Sequence, residues 1–417
     1  METTETMRIA AKSEALARAA SALMPDGLLP SFSRWDDPTD RPMFTGSPPV
    51  FAKGHGATLT DVDGNEYVDY IGGHGALILG HADQRVVAAI SKAASKGCGF
   101  GVPSETEVRL VELIVGRFPS IDMVRLAHTS ADALSCALAV AREYTGREVV
   151  ATFEGYPFGG GEPSSSFTLP YNDIEAAQRL FREHGSSIAA VVVEPVGVST
   201  GLIPPADRFL KTLRTLCDAH GALLIFDEAF TGLRVAPGGA AALCGVTPDL
   251  TVLGPMLGGG LPLAACGGSK KTMKHAEAKG VAGRLGPTSG NLIAMAAGIA
   301  TLQAIGEPGF YEALEEKAVR LEDGLRAAAE DAGVSTYHTR VASILGMFFS
   351  HGRITQAASA RHCDASRFAR FHEAMLDRGV LLPPSPFSCI FISAAHTVDE
   401  IDRTIEAARQ AFTVVGD

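Results

Sequence analysis

The sequence lacks a long apolar run, a basic patch and any closely spaced cysteine pair, and each absence removes a class of function. Its longest uncharged stretch, near Val252 to Gly268, is interrupted by Pro255, Pro262 and several glycines. A membrane-spanning helix needs about 20 mostly apolar residues, so no membrane partner is expected. Lys and Arg total 36 against 47 Asp and Glu, for a net charge of -11. With no basic cluster to offset it, that charge repels phosphate backbones, and nucleic acid is not an expected partner. The seven cysteines are odd in number and never spaced C-x-x-C. That distribution favours reduced thiols and a cytoplasmic location over disulfides or a zinc cluster, and no metal site is expected. The first residues carry acidic side chains and no basic flank leading into an apolar segment, so a secretory leader is not expected either.

What remains is the composition of an ordinary globular protein. The 417 residues are 46% hydrophobic and 20% charged, enough for a large core and roughly two or three domains.

The periodicity changes twice along the chain. Ser13 to Met24 reads as a short amphipathic helix, and the Pro- and Asp-rich stretch from Trp35 to Pro49 reads as a loop. Next, VFAKGHGATLTDVDGNEYVDYIGG alternates about a DGN turn, which predicts a hairpin. From about Gly72 to Ile305, helical patterns such as Glu105 to Phe118 and Arg208 to His220 alternate with short apolar runs such as 189–196 and 222–228. That alternation predicts an α/β fold with a mainly parallel sheet covered by helices on both faces. Ligands of such sheets sit beyond the carboxyl ends of the strands. Glu194 and Asp227 end their predicted strands and therefore point at that crevice. The last hundred residues carry two amphipathic helices flanking strand-like SILGMFFS and SCIFISAA, a small α+β unit. The piece GGGEPSSS (159–166) reads as a mobile loop.

Several segments, in one order, carry a family resemblance. They include DVDGNEYVDYIGG (61–73), VEPVGVSTGLIPP (193–205), FDEAFTGLRV (226–235), SGNLIAMAAGIATL (289–302) and MLDRGVLLPPSPF (375–387). Together they resemble the class III aminotransferases, and within them the glutamate-1-semialdehyde aminomutase group, over about residues 13 to 413. The resemblance implies the fold-type I architecture, with a large domain at 72–308 and a small domain from residues 1–71 and 309–417. It also implies a homodimer whose active sites lie at the interface, and a cofactor, pyridoxal phosphate (PLP), attached to a lysine.

Aligned on LG-x-x-x-GGGLP, that lysine falls on Pro255, which can form no imine. Asp227 matches the family's partner for the pyridine nitrogen. The phosphate cup Ser-Gly-Thr becomes Thr129, Ser130 and Ala131, and a partner-subunit threonine becomes Pro287, beside Thr288. After FEG (153–155), the family's aromatic and histidine positions hold Pro157 and Phe158. On the substrate side, His74, His128 and Ser388 stand where the family has tryptophan, asparagine and glutamate, and Arg34 lies near the family's carboxylate-binding arginine.

These changes favour an enzyme that keeps the scaffold, works without PLP, and acts on a small amino or carboxylic acid by acid–base or electrostatic catalysis. His74, His128 and Asp227 are its candidate catalytic groups, with Arg34, Glu194 and Ser388 on the substrate. An imidazole titrating near neutrality can move a proton or bind a carboxylate; each histidine could equally fill space against a backbone carbonyl. Two alternatives stand beside this expectation. One is a pyridoxamine phosphate (PMP)- or noncovalent-PLP-dependent enzyme held through Asp227, Thr129, Ser130 and Thr288. The other is a noncatalytic partner of an active homologue.

Overall fold

The computed structural model describes residues 10–24, 48–156, 165–278 and 291–416. The predicted N-terminal helix spans Ala11–Leu23. It is tied down at its start, where Asp63 accepts the Lys12 and Ser13 amides and the Ser13 hydroxyl. Strands β1 (Phe51–His55), β2 (Thr58–Asp61) and β3 (Glu66–Asp69) form a meander of two hairpins rather than one. The second turn follows from its residues. Asp61 accepts the amides of Asp63 and Asn65 at 3.0 and 2.8 Å, and Gly64 takes φ +93°, a left-handed value that glycine adopts without strain.

The central sheet has seven strands: β4 (Met123–Ala127), β5 (Val149–Phe153), β6 (Ser166–Leu169), β7 (Ile188–Val193), β8 (Leu223–Glu228), β9 (Leu250–Leu253) and β10 (Ala264–Gly268). Their order is β4-β10-β9-β8-β7-β5-β6. Only β10 runs antiparallel to its neighbours. The alternation of side chains along each strand sorts them onto two faces. Val150, Ala190, Val192, Leu223, Ile225, Leu250 and Val252 share a core with the helix Ser130–Thr145. Ala151, Val191, Val193, Leu224 and Phe226 face the opposite way, toward the helices Ile174–His184 and Phe209–His220. Continuous burial on both faces is why these strands read as apolar runs rather than as alternating ones. Each fully buried Phe or Leu in them contributes roughly 1.5–3 kcal/mol of transfer free energy.

The C-terminal part holds an antiparallel sheet of β11 (Tyr337–Val341), β12 (Ile344–Phe348) and β14 (Ile390–Phe391). It packs with the helices Phe310–Asp331, Ala365–Asp377 and Val398–Gly416. Between β12 and β14 in sequence, β13 (Val380–Leu381) instead joins β3 in parallel, so the two ends of the chain share one sheet.

Two predicted elements are shorter than expected. The helix from Glu105 stops at Val115 because Gly116 follows as its cap and Pro119 comes soon after. The strand expected from SCIFISAA keeps only Ile390–Phe391; Ser393 turns the chain by donating its amide to His396 Nδ1. Of the expected loop 159–166, residues 159–164 lie outside the described residues, and Ser166 opens β6. All seven cysteines are free thiols. Among the described residues, no helix is long and apolar enough to cross a membrane.

Candidate functional site

Five strands of the central sheet deliver residues to one cavity of about 410 Å³ at their carboxyl ends. β8 contributes Asp227, and β7 is followed by Glu194. β9 is followed by Pro255, β5 by Tyr156, and β4 by Thr129 and Ser130. A second set of segments closes the wall: His74 from the turn after β3, Phe230, and Phe387 to Cys389 with Phe391 from the C-terminal part.

At the floor, both oxygens of Asp227 are engaged. Tyr156 donates its hydroxyl to Oδ2, and the Ala229 amide donates to Oδ1 at 2.9 Å. Burial raises the Asp227 carboxyl above its ordinary range, and the two donors pull it back. The Tyr156 phenol is pushed well above its usual value by burial, then by the charge of Asp227, so the shared proton stays on Tyr156. Glu194 is buried and held by its own turn: its carboxylate accepts the Ser199 amide and hydroxyl at 3.2 and 2.9 Å. Two carboxylates thus make the floor acidic and suited to a cationic ligand group.

The helix Ser130–Thr145 starts at the same cavity. Its N-cap, Thr129, forms a capping box: the hydroxyl accepts the Asp132 amide at 3.1 Å and donates to Asp132 Oδ2 at 2.8 Å. The Thr129 hydroxyl is therefore committed to its own helix. The Ser130 and Ala131 amides belong to the first turn, where N–H groups have no acceptor within the helix. They and the Ser130 side chain are what this end offers an anion.

His74 sits at the mouth with φ +56°. Desolvation lowers it below the usual histidine range, and nearby Asp69 partly offsets this, so it is neutral at pH 7. Its turn is fixed from two sides. Asp69 accepts the Ile71 amide at 2.8 Å and pairs with His81 Nε2 at 2.7 Å. The fully buried Arg234 donates to the carbonyls of Gly75 and Ile392 at 2.6 and 2.8 Å, and to the Ser343 hydroxyl at 3.3 Å. Gly75, at φ +77°, is required: a Cβ there would lie 2.7 Å from the Phe391 ring. Ser388 lines the cavity with its backbone amide bonded to Ser385 O at 3.1 Å.

The structure thus gathers His74, Thr129, Ser130, Glu194, Asp227 and Ser388 around one space. It does not bring His128 among them. That residue lies between β4 and the helix cap and is not part of the lining. Arg34 and Thr288, like Pro157, Phe158 and Pro287, lie outside the described residues. Tyr156 and Ser199 were missed by sequence reasoning. The signal for Tyr156 was an aromatic residue immediately after FEG, one position before the expected one.

The chain belongs to the class III aminotransferases: the family's model matches residues 45–161 and 163–412. Among individual relatives, the glutamate-1-semialdehyde 2,1-aminomutase of Desulforudis audaxviator is 45% identical over 392 residues, covering 88% of this chain and 91% of that one. The β-phenylalanine aminotransferase of Variovorax paradoxus superposes with a TM-score of 0.87 at 31% identity, over 96% and 93% of the two chains. A transaminase solved with PLP bound superposes at 0.85 with 26% identity over 98% of each. The fold is the fold-type I aminotransferase architecture.

These relatives overturn the expectation of a cofactor-free enzyme. Their similarity runs nearly end to end, and a structural relative over 98% of the chain is a PLP-bound transaminase. The physical reason for the error is the phosphate cup. Comparing side chains counted Ala131 as a lost hydroxyl donor, whereas a helix N-terminus binds anions largely through backbone amides, which that substitution leaves in place.

Proposed function

We propose that this chain is an aminotransferase- or aminomutase-like enzyme that uses PMP or noncovalently held PLP on a small amino or carboxylic acid. The observation that carries this reading is Asp227, a carboxylate at the floor of a cavity that also receives the head of the Ser130–Thr145 helix, within a member of this family.

The residues fit such a group held without a covalent bond. Asp227 is placed to pair with a protonated ring nitrogen, and the Ser130 and Ala131 amides with the Ser130 hydroxyl to receive a phosphate. Pro255 carries no amine at the position the family resemblance assigns to the lysine, which is why the proposal specifies noncovalent retention. When bound, the cofactor supplies an electron-accepting pyridine ring and a carrier for the amino group. The neutral imidazole of His74 can take up or return a proton at the cavity mouth. Ser388 and the Phe387 and Phe391 side chains bound the substrate side, and the Glu194 carboxylate adds negative potential that favours an amine. His128 is given no proton-transfer role, because it stands outside the lining. A homodimer in the cytoplasm belongs to the same proposal, and sedimentation of the purified chain tests the dimer.

The test of function is to add PMP or PLP to the purified protein, desalt it, and record the near-ultraviolet and visible spectrum with native mass spectrometry. Retention of one cofactor mass per chain, lost in Asp227→Asn, is the expected outcome. Retention of neither cofactor by the wild-type chain would overturn the proposal.

A further inference from the structure

Tyr156 has no part in the reading above, yet its hydroxyl donates to Asp227 Oδ2. The bond crosses the sheet: Tyr156 follows β5, Asp227 is the next-to-last residue of β8, and β7 lies between. The tyrosine ring packs against the core beneath the Ser130–Thr145 helix, so the donor is held by rigid structure. With the Ala229 amide on Oδ1, both oxygens are fixed and the carboxylate plane cannot rotate. Each carboxylate oxygen has roughly two lone-pair sites. Oδ2 can therefore take one more donor from the cavity while keeping Tyr156.

We propose that Tyr156 is a positioning residue that aims Asp227 at the cavity and keeps it ionised, ready to pair with a cationic ring nitrogen such as that of PMP. The identity of that ligand rests on the function proposed above; the effect on Asp227 does not. Burial favours the neutral carboxylic acid, whereas donors to the carboxylate favour the anion. Removing the phenol leaves burial less opposed, and Asp227 then takes up its proton at higher pH. Among the described residues, the other titratable groups around Asp227 are Glu194 after β7, Glu228 beside it on β8, His74 from the turn after β3 and the Cys389 thiol from the C-terminal part. All four are retained in Tyr156→Phe, which also preserves the ring's packing, so the difference between the two proteins isolates the hydroxyl.

The test has a cofactor-free and a cofactor-bound arm. In the first, protonation of Asp227 in the cofactor-free full chain is titrated by infrared difference spectra against Asp227→Asn, for wild type and Y156F. The midpoint is expected to move to higher pH in Y156F, and an unchanged midpoint overturns the proposal. In the second, PMP affinity is measured by calorimetry across pH. Y156F is expected to bind PMP roughly tenfold more weakly on the acid side, the effect of losing a hydrogen bond to a charged group, and to approach wild type at alkaline pH. An equal loss at every pH is what a purely structural role would produce, and it overturns the ionisation claim. If PMP fails to bind even the wild type, the proposed function falls, while the infrared titration still decides the role of Tyr156.

Discussion

The floor of the cavity and its outer wall are held by different kinds of bond. The floor consists of strand ends. Asp227, Glu194 and Tyr156 leave adjacent or nearly adjacent strands of one parallel ladder, and their backbone positions are set by that ladder. The wall has no such ladder. The segment carrying His74 is tied to the chain around Ile392, the residue after β14, by two isolated backbone bonds, Phe391 N–H to Tyr70 O at 2.9 Å and Ala394 N–H to Ile78 O at 2.7 Å. Between them it is tied by one buried guanidinium, Arg234, which reaches residues 159 and 158 positions away in sequence. A floor built from regular secondary structure tolerates changed side chains, whereas a wall held by two isolated backbone bonds and one guanidinium is sensitive to that one side chain.

The sharpest way to break this contrast is Arg234→Ala. Burial lowers the guanidinium to about 9, so it stays cationic at pH 7, and it has no carboxylate within ion-pair distance among the described residues. Its truncation leaves the Gly75 and Ile392 carbonyls without their donor and opens a void. The expected loss is about 4 kcal/mol of stability in urea unfolding. A loss below about 1 kcal/mol would show that the two flanking backbone bonds hold the wall without Arg234.

Glu228 tests the floor from behind. Its carboxylate accepts the Ala240 and Ala241 amides at 2.5 and 3.0 Å and the Thr231 hydroxyl at 3.1 Å, fully buried. Burial outweighs these donors and raises it from 4.5 to about 7. A carboxyl with a raised folded value favours the protonated protein. Its contribution is therefore full below about pH 4.5 and is lost as pH rises toward about 7, on the order of 3 kcal/mol across the window. Melting temperature against pH should fall more steeply over this window in the wild type than in Glu228→Gln. Parallel curves would show that Glu228 titrates as an ordinary glutamate.

The smallest change concerns the helix head. Thr129→Ala removes the capping box and should cost about 1 kcal/mol while leaving PMP retention intact, because the Ser130 and Ala131 amides remain. Loss of retention at unchanged stability would instead place the Thr129 hydroxyl on the phosphate.

The two regions were also legible to different degrees. The runs 189–196 and 222–228 marked β7 and β8, and placed Glu194 and Asp227 at strand ends, because a strand buried on both faces must be apolar until it reaches the crevice. The wall left weaker traces. Arg234 falls inside the motif FDEAFTGLRV, but no local pattern marks its burial, which follows from carbonyls more than 150 residues distant.

By itself, then, the sequence determined the layered fold, the family and the identity of the strand-end carboxylates, because local periodicity and ordered motifs are properties of neighbouring residues. The tertiary structure decided that Tyr156 meets Asp227, that Thr129 is committed to its own cap, and that His128 stays out of the lining. Each of these depends on which atoms are within hydrogen-bond reach across the sheet, a relation between distant segments that no local pattern encodes.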